Sequence, residues 1–303
     1  MKLIVLLSSY NGEKYIGEQL DSLLNQDLKP DKIFIRDDGS TDETVNILED
    51  YSSRFSCIQY YCGKNVGVAK SFMELINNCE DADYYALCDQ DDYWLKDKLC
   101  SAVELLEKKN KNIPLLYCSK FTLTDENLNP IDSDVSKLYN FSDFDHSLIY
   151  HTAPGCTFVF NHELRKLIKM YDVNENYILI HDALIHKIAT LFGEMILDEN
   201  SHIYYRQHQS NQIGMTANAF ETFKGRIERF VKGSIRNYRS KSASSLIDVY
   251  GDICDKDKLK TMKMVAYYRD DKELKKQFME YDGFKSDSVN DIFLKILILV
   301  NYI

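Results

Sequence analysis

The run Tyr84-Tyr85-Ala86-Leu87-Cys88-Asp89-Gln90-Asp91-Asp92 decides the fold. A short apolar run that ends in a polar turn is typical of a buried parallel strand. Its three carboxylates then lie at the carboxyl end of that strand, where open α/β sheets bind ligands. Crowded acids repel one another unless a cation or a hydrogen-bonded ligand compensates them. Because Mg²⁺ binds through one or two carboxylates and substrate phosphates, Asp-x-Asp predicts a divalent-cation site, with an acidic surface turn as the alternative.

Strands and helices alternate on both sides of this run. Apolar strands are predicted at 2–8, 32–36, 57–62, 84–88, 115–119 and 157–161, and amphipathic helices at 14–26, 68–79 and 96–109. Ser40 and Glu43 have the spacing of a capping box, which predicts that another helix opens there. Alternation of this kind predicts an α/β fold, a parallel-type sheet with helices on both faces.

Composition restricts the class of protein. The chain has 303 residues, 45% of them hydrophobic, which allows one large domain or two smaller ones. The net charge of −10 argues against a nucleic-acid partner, which would require a basic face. Eight cysteines without a Cys-x-x-Cys pair predict reduced thiols in a cytoplasmic protein. The apolar run after Met1 is too short for a signal peptide and predicts the first strand.

The sequence changes character near residue 217. Aromatic and aliphatic residues recur at helical spacing over 220–238, and residues 216–245 include seven basic and two acidic side chains. We therefore predict a catalytic domain over 1–216 and a helical C-terminal extension over 217–303. The basic stretch 220–241 predicts peripheral contact with anionic lipid at the inner face of a membrane, or a solvated helix on the main domain. The apolar run 290–303 is too short to span a bilayer and predicts packing on the core, on a membrane surface or in a homodimer.

Two further strand ends carry polar side chains into the same crevice. The first reads Ser8-Ser9-Tyr10-Asn11-Gly12-Glu13, and the second reads Asp37-Asp38-Gly39-Ser40. Tyr10 is suited to stacking on a base, and Asp38 to accepting a hydrogen bond from a pyrimidine imide N–H. Turn and cap chemistry is the alternative for each junction taken alone, since Asn-Gly and Asp-Gly form good turns.

In chain order these motifs resemble the family 2 glycosyltransferases, which have the GT-A fold. The order is strand-Ser-Tyr-Asn, strand-Asp-Asp-Gly-Ser-Thr-Asp, Asn65-x-Gly67 and strand-Asp-x-Asp-Asp. Together with the later Tyr205-Arg206-Gln207-His208, the pattern is similar to a bacterial rhamnosyltransferase-like branch.

The resemblance implies a GT-A-type, Rossmann-like mixed sheet with helices on both faces. It also implies inverting, metal-dependent sugar transfer in the synthesis of a bacterial surface polysaccharide such as a capsule. The donor would be a nucleotide sugar, either dTDP-rhamnose or a UDP-hexose. The acceptor would be a saccharide or a lipid-linked saccharide.

The resemblance also implies roles for residues at the strand ends. Ser8 and Tyr10 match the nucleoside-binding segment, and Asp38 matches the acid that holds the base. Asp89 matches the ribose contact. Asp91 matches the ligand of Mn²⁺ or Mg²⁺, and Asp92 extends that motif as a supporting acid.

Other carried-over roles concern the nucleotide and the acceptor. Lys70 lies one residue from a position where many members carry an arginine that faces the nucleotide, and Ser71 is the closer match. Cys156, in Pro154-Gly155-Cys156, matches a segment that lines the acceptor side. Trp94 is predicted to pack against an acceptor sugar ring, with core packing as an equal alternative.

The run His181-Asp182-Ala183-Leu184 opens a predicted helix, where the simplest role of Asp182 is an N-cap. The family pattern places the catalytic base at Asp182, and inversion needs one carboxylate that deprotonates the nucleophile. His181 replaces the usual preceding acid, in a supporting position. Arg206 and His208 point one way along a strand end. Arg206 suits the diphosphate, and a neutral His208 suits the metal site.

Two other functions stay open on the sequence. A nucleotidyltransferase also uses a metal and acids at strand ends, but it would carry a Gly-rich basic loop after the first strand, which residues 8–13 do not form. A catalytically inactive nucleotide-sugar-binding module is the alternative of a different class, and the presence of both Asp91 and Asp182 argues against it.

Overall fold

The computed structural model describes residues 1–131, 143–150, 153–208, 236–284 and 288–303. Within them the strands are β1 (Leu3–Ser9), β2 (Lys32–Asp37), β3 (Ile58–Cys62), β4 (Tyr84–Asp89), β5 (Tyr93–Trp94), β6 (Leu115–Thr124), β7 (Val159–Asn161) and β8 (Glu194–Arg206). The α-helices are α1 (Ile16–Leu24), α2 (Thr44–Arg54), α3 (Val68–Asn78), α4 (Lys98–Glu107), α5 (Phe144–Ile149), α6 (His162–Lys169), α7 (His181–Phe192), α8 (Tyr238–Tyr250), α9 (Lys256–Tyr267), α10 (Lys272–Glu280) and α11 (Ser288–Leu299).

Strands β1 to β8 form one mixed sheet in the order β3-β2-β1-β4-β7-β6-β8-β5. The four strands β3, β2, β1 and β4 run parallel, and β7 runs antiparallel to both β4 and β6. The predicted mixed sheet of GT-A type is confirmed. Each predicted strand exists, with ends that differ by one or a few residues.

The core divides at the sheet because successive strand side chains point to opposite faces. In β1, Leu3, Val5 and Leu7 pack toward helices α1, α2 and α4, whereas Ile4 and Leu6 pack toward α3, α6 and α7. All five side chains are fully buried. A strand covered on both faces therefore shows a continuous apolar run, and each buried side chain of this size contributes about 1.5–3 kcal/mol.

Strand register brings the predicted motifs to one edge. Ser8 lies opposite Arg36 on β2 and opposite Asp89 on β4, and Ser9 lies opposite Asp37. The carboxyl ends of three adjacent parallel strands thus meet, as the sequence predicted.

The capping box predicted at Ser40 and Glu43 is wrong. Helix α2 begins at Thr44, and no side chain caps it from Glu43. The Ser40 hydroxyl instead donates to Asp37 Oδ2 at 2.5 Å and accepts the Asn11 N–H at 2.8 Å. Ser40 therefore joins the loops after β1 and β2, so its hydroxyl is not available to cap a helix.

The C-terminal helices belong to the core on the α7 side of the sheet. Leu246 of α8, Val265 of α9 and Ile298 of α11 are buried in the same cluster as Ile4 and Leu6 of β1. The predicted boundary at 216/217 and most of the basic stretch 220–241 lie outside the described residues. No helix in the described part of the chain is both long enough and apolar enough to cross a membrane.

Candidate active site

The acid run at the end of β4 lies close to the start of α7. Burial and then the negative charges of Asp91 and Asp182 together raise the pKa of Asp89 to about 8. Such an effect requires these carboxylates to be near one another. The fold therefore brings the predicted catalytic base into the same site as the predicted cation ligand, although the two are far apart in sequence.

Asp92 and Cys156 form the buried floor of this site, and each is 1% exposed. Oxygens of Asp89 and Asp92 lie within 4.8 Å of each other and of Cys156 Sγ. Burial, followed by the charges of neighbouring aspartates, raises the pKa of both Asp92 and Cys156 well above their ordinary values. A cation among these groups would lower their pKa values again, because it favours the ionised forms. The neighbouring Asp91 lies at the rim of the site, where its side chain is partly exposed.

Asp91 and His208 lie side by side at that rim. Asp91 Oδ2 is 2.9 Å from His208 Nε2, and the Asp91 side chain is 22% exposed. The His208 ring packs at 4.8 Å from the ring of Tyr15. A partly exposed carboxylate beside an imidazole fits a divalent cation such as Mg²⁺ or Mn²⁺. The two residues predicted for the metal are therefore brought together.

Arg206 supports the acid loop from within the fold. Its guanidinium donates to the Asp91 carbonyl at 2.9 Å, to the Glu126 carbonyl at 2.5 Å and to Glu18 Oε2 at 2.5 Å. It also lies 4.5 Å above the ring of Tyr15. Since Arg206 is 3% exposed, these bonds describe a structural role, and direct contact with a diphosphate stays a prediction.

Gln90 is a site residue that the sequence argument missed, because it is the unspecified position of Asp-x-Asp. The Tyr10 N–H donates to Gln90 Oε1 at 2.8 Å, and Gln90 Nε2 donates to the Tyr10 carbonyl at 3.0 Å. A Cβ atom on Gly12 would clash with the Gln90 amide. This two-bond clamp fixes the loop that carries Tyr10, whose side chain is 42% exposed and accessible to a base.

Asp38 is buried and holds the loop before α3. Its carboxylate accepts from Arg36 Nη1 at 2.5 Å, from the Val66 N–H at 2.8 Å and from the Gly67 N–H at 2.9 Å. Arg36 is 1% exposed and also donates to Glu74 at 2.6 Å. Arg36 is a second residue that the sequence argument missed, since it reads there as the last position of an ordinary strand.

Ser71, the residue after Lys70, contacts Ser8 of the predicted nucleoside-binding segment. Ser8 Oγ and Ser71 Oγ are 2.6 Å apart, and Arg36 Nη1 donates to Ser71 at 3.2 Å. Lys70 lies in the first turn of α3 and is partly buried. A role for Lys70 toward the nucleotide stays a prediction.

Asp182 occupies the first turn of α7 and is 7% exposed. Its Oδ2 accepts the Gly155 N–H at 3.2 Å, and its Oδ1 accepts the Ala183 N–H at 2.7 Å. The N-cap position belongs to Ile180, so the capping role considered for Asp182 is wrong. His181 stacks on Phe72 at 4.1 Å, and a Cβ atom on Gly155 would lie 2.8 Å from His181 Nε2.

Two predicted acceptor residues are buried. Trp94 is 1% exposed, and Lys98 Nζ lies 3.5 Å from its ring centroid, so the indole has the core-packing role that the sequence left open. Cys156 is 1% exposed and lies close to Asp89 and Asp92, so its predicted contact with the acceptor stays a prediction. Burial of this kind depends on which elements cover a residue, so its own sequence neighbourhood does not reveal it.

Comparisons with known proteins show which family the chain resembles. The sequence model described as glycosyl transferase family 2 matches residues 4–168. The dTDP-rhamnosyl transferase RfbG of Shigella flexneri is 33% identical over 261 residues, covering 80% of this chain and 85% of that protein. An uncharacterized glycosyltransferase of Rickettsia typhi is 25% identical, covering 75% of this chain and 71% of the relative.

Solved structures show the same fold. The structure of Staphylococcus aureus TarS 1–349 in complex with UDP-GlcNAc has a TM-score of 0.56 at 18% identity, and the match covers 100% of this chain and 91% of that one. The mannosyltransferase PcManGT of Pyrobaculum calidifontis, in complex with GDP-Man and Mn²⁺, has a TM-score of 0.54 at 15% identity, covering 99% and 86%.

Proposed function

This chain belongs to glycosyl transferase family 2, and from that premise we propose that it transfers rhamnose from dTDP-rhamnose to a saccharide or lipid-linked saccharide, with inversion and with a divalent cation. The observation that carries the chemical step is the proximity of both Asp182 and Asp91 to Asp89, expressed in the raised pKa of Asp89. The named activity of the Shigella flexneri relative supports the donor. Synthesis of a bacterial surface polysaccharide is the setting in which such a transfer would occur.

Asp182 is the proposed general base. As the acceptor hydroxyl attacks the anomeric carbon, its proton passes to the Asp182 carboxylate and the bond from that carbon to the diphosphate breaks. Inversion requires one such carboxylate, and the leaving nucleoside diphosphate carries away the bonding electrons. Hydrogen bonds from the Gly155 and Ala183 N–H groups orient the carboxylate for this role.

Asp91 and His208 would hold Mn²⁺ or Mg²⁺. Such a cation, when bound, neutralises the charge that develops on the departing diphosphate, so no general acid is required. Asp92 and Arg206 keep the loop of Asp91 in place from the buried side. The partly exposed carboxylate of Asp91 supports this assignment over the buried pair of Asp92 and Cys156.

The nucleoside would lie over the loops after β1 and β2. The exposed ring of Tyr10 offers a stacking surface, while Ser8 and Asp89 adjoin the position proposed for the ribose. A carboxylate has about four acceptor sites. Asp38 uses three of them for Arg36, Val66 and Gly67, which leaves one for a pyrimidine imide N–H.

A donor screen tests this proposal. Purified protein is heated with dTDP-rhamnose, UDP-galactose or UDP-glucose, each with Mn²⁺, with Mg²⁺ or with EDTA. We expect the largest rise in melting temperature for dTDP-rhamnose with a cation, because a ligand at 100 times its Kd adds about 2.7 kcal/mol to the free energy of unfolding. The absence of a shift with every nucleotide sugar would contradict the proposal, as would full transferase activity in excess EDTA.

A donor-hydrolysis assay separates this function from an inactive binding module. An active enzyme releases dTDP from dTDP-rhamnose with water as a poor acceptor, whereas a binding module releases none.

The stretch 220–241 is proposed to bring the enzyme to anionic lipid. Co-sedimentation with phosphatidylglycerol vesicles at low and high salt tests that part, since electrostatic binding weakens as salt rises.

A further inference from the structure

Helix α11 and the residue after it present an apolar stripe to solvent. Its four side chains are about half exposed: Ile292 (62%), Ile296 (47%), Leu299 (59%) and Val300 (51%). Their spacing places them on one side of a helix with 3.6 residues per turn. The opposite side is buried in the core through Leu294, Leu297 and Ile298. Packing on the core, one of the roles predicted for the apolar run 290–303, therefore accounts for only half of its apolar residues.

Basic side chains lie at the C-terminal end of this apolar stripe. Lys275 Nζ donates to the Leu299 carbonyl at 3.1 Å. The Asn237 N–H donates to the Tyr302 carbonyl at 2.9 Å, which places the exposed Arg236 near the same end. The described end of the basic stretch that the sequence singled out thus meets the end of the stripe. Two features that are far apart in sequence form one surface.

The charges of α11 itself follow the same arrangement. Lys295 is exposed and adjoins the stripe, one residue before Ile296. Asp291, the only acidic residue in the sequence of α11, lies in its first turn, at the end away from Lys275. An apolar side bordered by cations is typical of a helix that lies in the plane of a membrane interface. The phosphate groups of anionic lipids supply the complementary charge.

A second copy of the chain fits this surface less well than a lipid bilayer does. A stable protein interface uses about 20–30 residues on each side, whereas the stripe has four. In a two-fold symmetric dimer the same patch forms both sides of the interface. Lys295, near the middle of the stripe, would then approach the same lysine of the other copy, and these like charges repel.

Helix α8 connects the stripe to the segment that precedes the proposed base. Ser240 Oγ donates to the Ile303 carbonyl at 2.5 Å, and Ser245 Oγ accepts the Tyr177 N–H at 3.0 Å. These two serines are about 8 Å apart along the axis of α8. Since Tyr177 lies shortly before Asp182, the fold sets the position of the base relative to any surface that binds α11.

We infer that the exposed side of α11 is a membrane contact, in which the apolar stripe enters the interface of a lipid bilayer and Lys295 and Arg236 meet anionic headgroups. The inference deepens the proposed function and rests on it for its meaning, because it gives the enzyme access to a lipid-linked acceptor. It differs from electrostatic binding through the stretch 220–241, since the burial of apolar side chains is not screened by salt.

Vesicle co-sedimentation of the full chain at low and high sodium chloride tests this inference. The vesicles contain equal parts of phosphatidylglycerol and phosphatidylcholine. We expect the wild type to bind at low salt and to retain a salt-resistant part of this binding at high salt. Ile296→Glu places a charge within the stripe and should weaken the binding at high salt at least about tenfold, the loss expected when an isoleucine side chain is no longer buried.

Two further variants complete the test, with circular dichroism to show that each is folded. Ile253→Glu is the matched control and should leave binding unchanged, because Ile253 is 55% exposed but lies in the turn after α8, at the end of that helix away from Asn237. Leu299→Ser adds no charge and should also weaken binding, so the test survives if Ile296→Glu fails to fold. Unchanged binding at high salt in a folded stripe variant would overturn the inference, as would an equal loss in Ile253→Glu.

Light scattering on the same samples tests the alternative of a dimer. If the wild type is a dimer that Ile296→Glu dissociates, and vesicle binding stays unchanged, the stripe is a dimer interface and the inference is overturned.

The thermal shift with dTDP-rhamnose and Mn²⁺ separates this inference from the proposed function. Ile296→Glu should keep the wild-type shift, because the stripe does not include the residues proposed to bind the donor. If the wild type binds vesicles through the stripe but binds no nucleotide sugar, the proposed function fails and the membrane contact stands. If it binds the donor but no vesicles at either salt concentration, the membrane contact fails alone.

Discussion

Two buried cations distinguish the proposed donor region, formed by the loops after β1, β2 and β4, from the proposed acceptor region, formed by residues 177–180, α7 and α8. In the donor region, Arg36 is 1% exposed and bonds to the carboxylates of Asp38 and Glu74. In the acceptor region, Lys187 is 4% exposed and bonds to the hydroxyl group of Ser242. A buried charge that the fold itself neutralises maintains structure. One whose hydrogen-bond partner is a hydroxyl group is compensated less well, and burial lowers the pKa of Lys187 to about 8 although the charge of Asp182 opposes that change. The comparison therefore separates a cation that supports the fold from one whose burial costs stability.

The largest expected effect concerns the cation in the donor region. Asp91→Asn should reduce turnover to background and abolish cation-dependent binding of dTDP-rhamnose, because an amide is a much poorer ligand for a hard cation than a carboxylate. Turnover and thermal shift with Mn²⁺ measure this. Asp50→Asn, at an exposed position of α2, is the control. Retained cation-dependent binding would assign the metal to other residues.

The next effect concerns the free energy of unfolding and tests the difference between Arg36 and Lys187. Arg36→Met should lower the free energy of unfolding by about 3–5 kcal/mol, since removal of one partner leaves the buried Asp38 carboxylate uncompensated. Urea unfolding followed by circular dichroism gives this value. Lys187→Met is the matched variant and should not destabilise the protein. Equal destabilisation by both substitutions would remove the distinction between the two cations.

The third effect tests the chemistry in the acceptor region. Asp182→Asn keeps the shape of the side chain but cannot accept the proton, so kcat should fall by about 10²-fold or more. The Kd of dTDP-rhamnose should remain close to the wild-type value, as measured by titration calorimetry. Glu175→Gln, an exposed change shortly before α7, is the control. Loss of donor affinity at unchanged kcat would make Asp182 a binding residue, and a product with retained configuration would exclude inversion.

The smallest effect is a dependence of stability on pH. The pKa of Lys187 is lowered from 10.5 to about 8 in the folded protein. Above pH 10.5 the amine of Lys187 is neutral in both the folded and the unfolded state. As pH falls toward 8, the unfolded state takes up a proton first. The free energy of unfolding therefore decreases over this range. Lys187→Met should therefore be more stable than the wild type at pH 7, and the gain should shrink toward pH 10.5. Unfolding at both pH values measures it, and a gain independent of pH would show that packing is the cause.

The donor region was largely predictable because its residues follow strands directly in sequence. A strand of the parallel sheet must end at a known edge, so the sequence alone predicts that Ser8, Asp38 and Asp89 lie together. The start of α2 could not be predicted in this way. Ser40 has the spacing of a capping box, but its hydroxyl can also donate a hydrogen bond to Asp37. Local pattern does not reveal which of two acceptable hydrogen bonds the tertiary structure selects.

The acceptor region was less predictable because its properties depend on burial by distant elements. Cys156 and Trp94 are polar or aromatic residues near the site in sequence, yet the fold covers both. Lys187 shows the reverse, since a lysine in an amphipathic helix is usually exposed, yet Lys187 is buried beside Ser242 of α8. Side chains such as these acquire their chemistry from neighbours that the sequence does not identify.

The clamp between Gln90 and Tyr10 has a thermodynamic consequence. Two hydrogen bonds join the loop that carries the proposed stacking surface to the loop of Asp91, so neither loop can be displaced without the other. A ligand that orders one loop reduces the entropy that a second ligand must lose when it orders the other. Such coupling is reciprocal. A cation at Asp91 and a base at Tyr10, bound as proposed, would then raise each other's affinity by the same factor, although neither needs to touch the other.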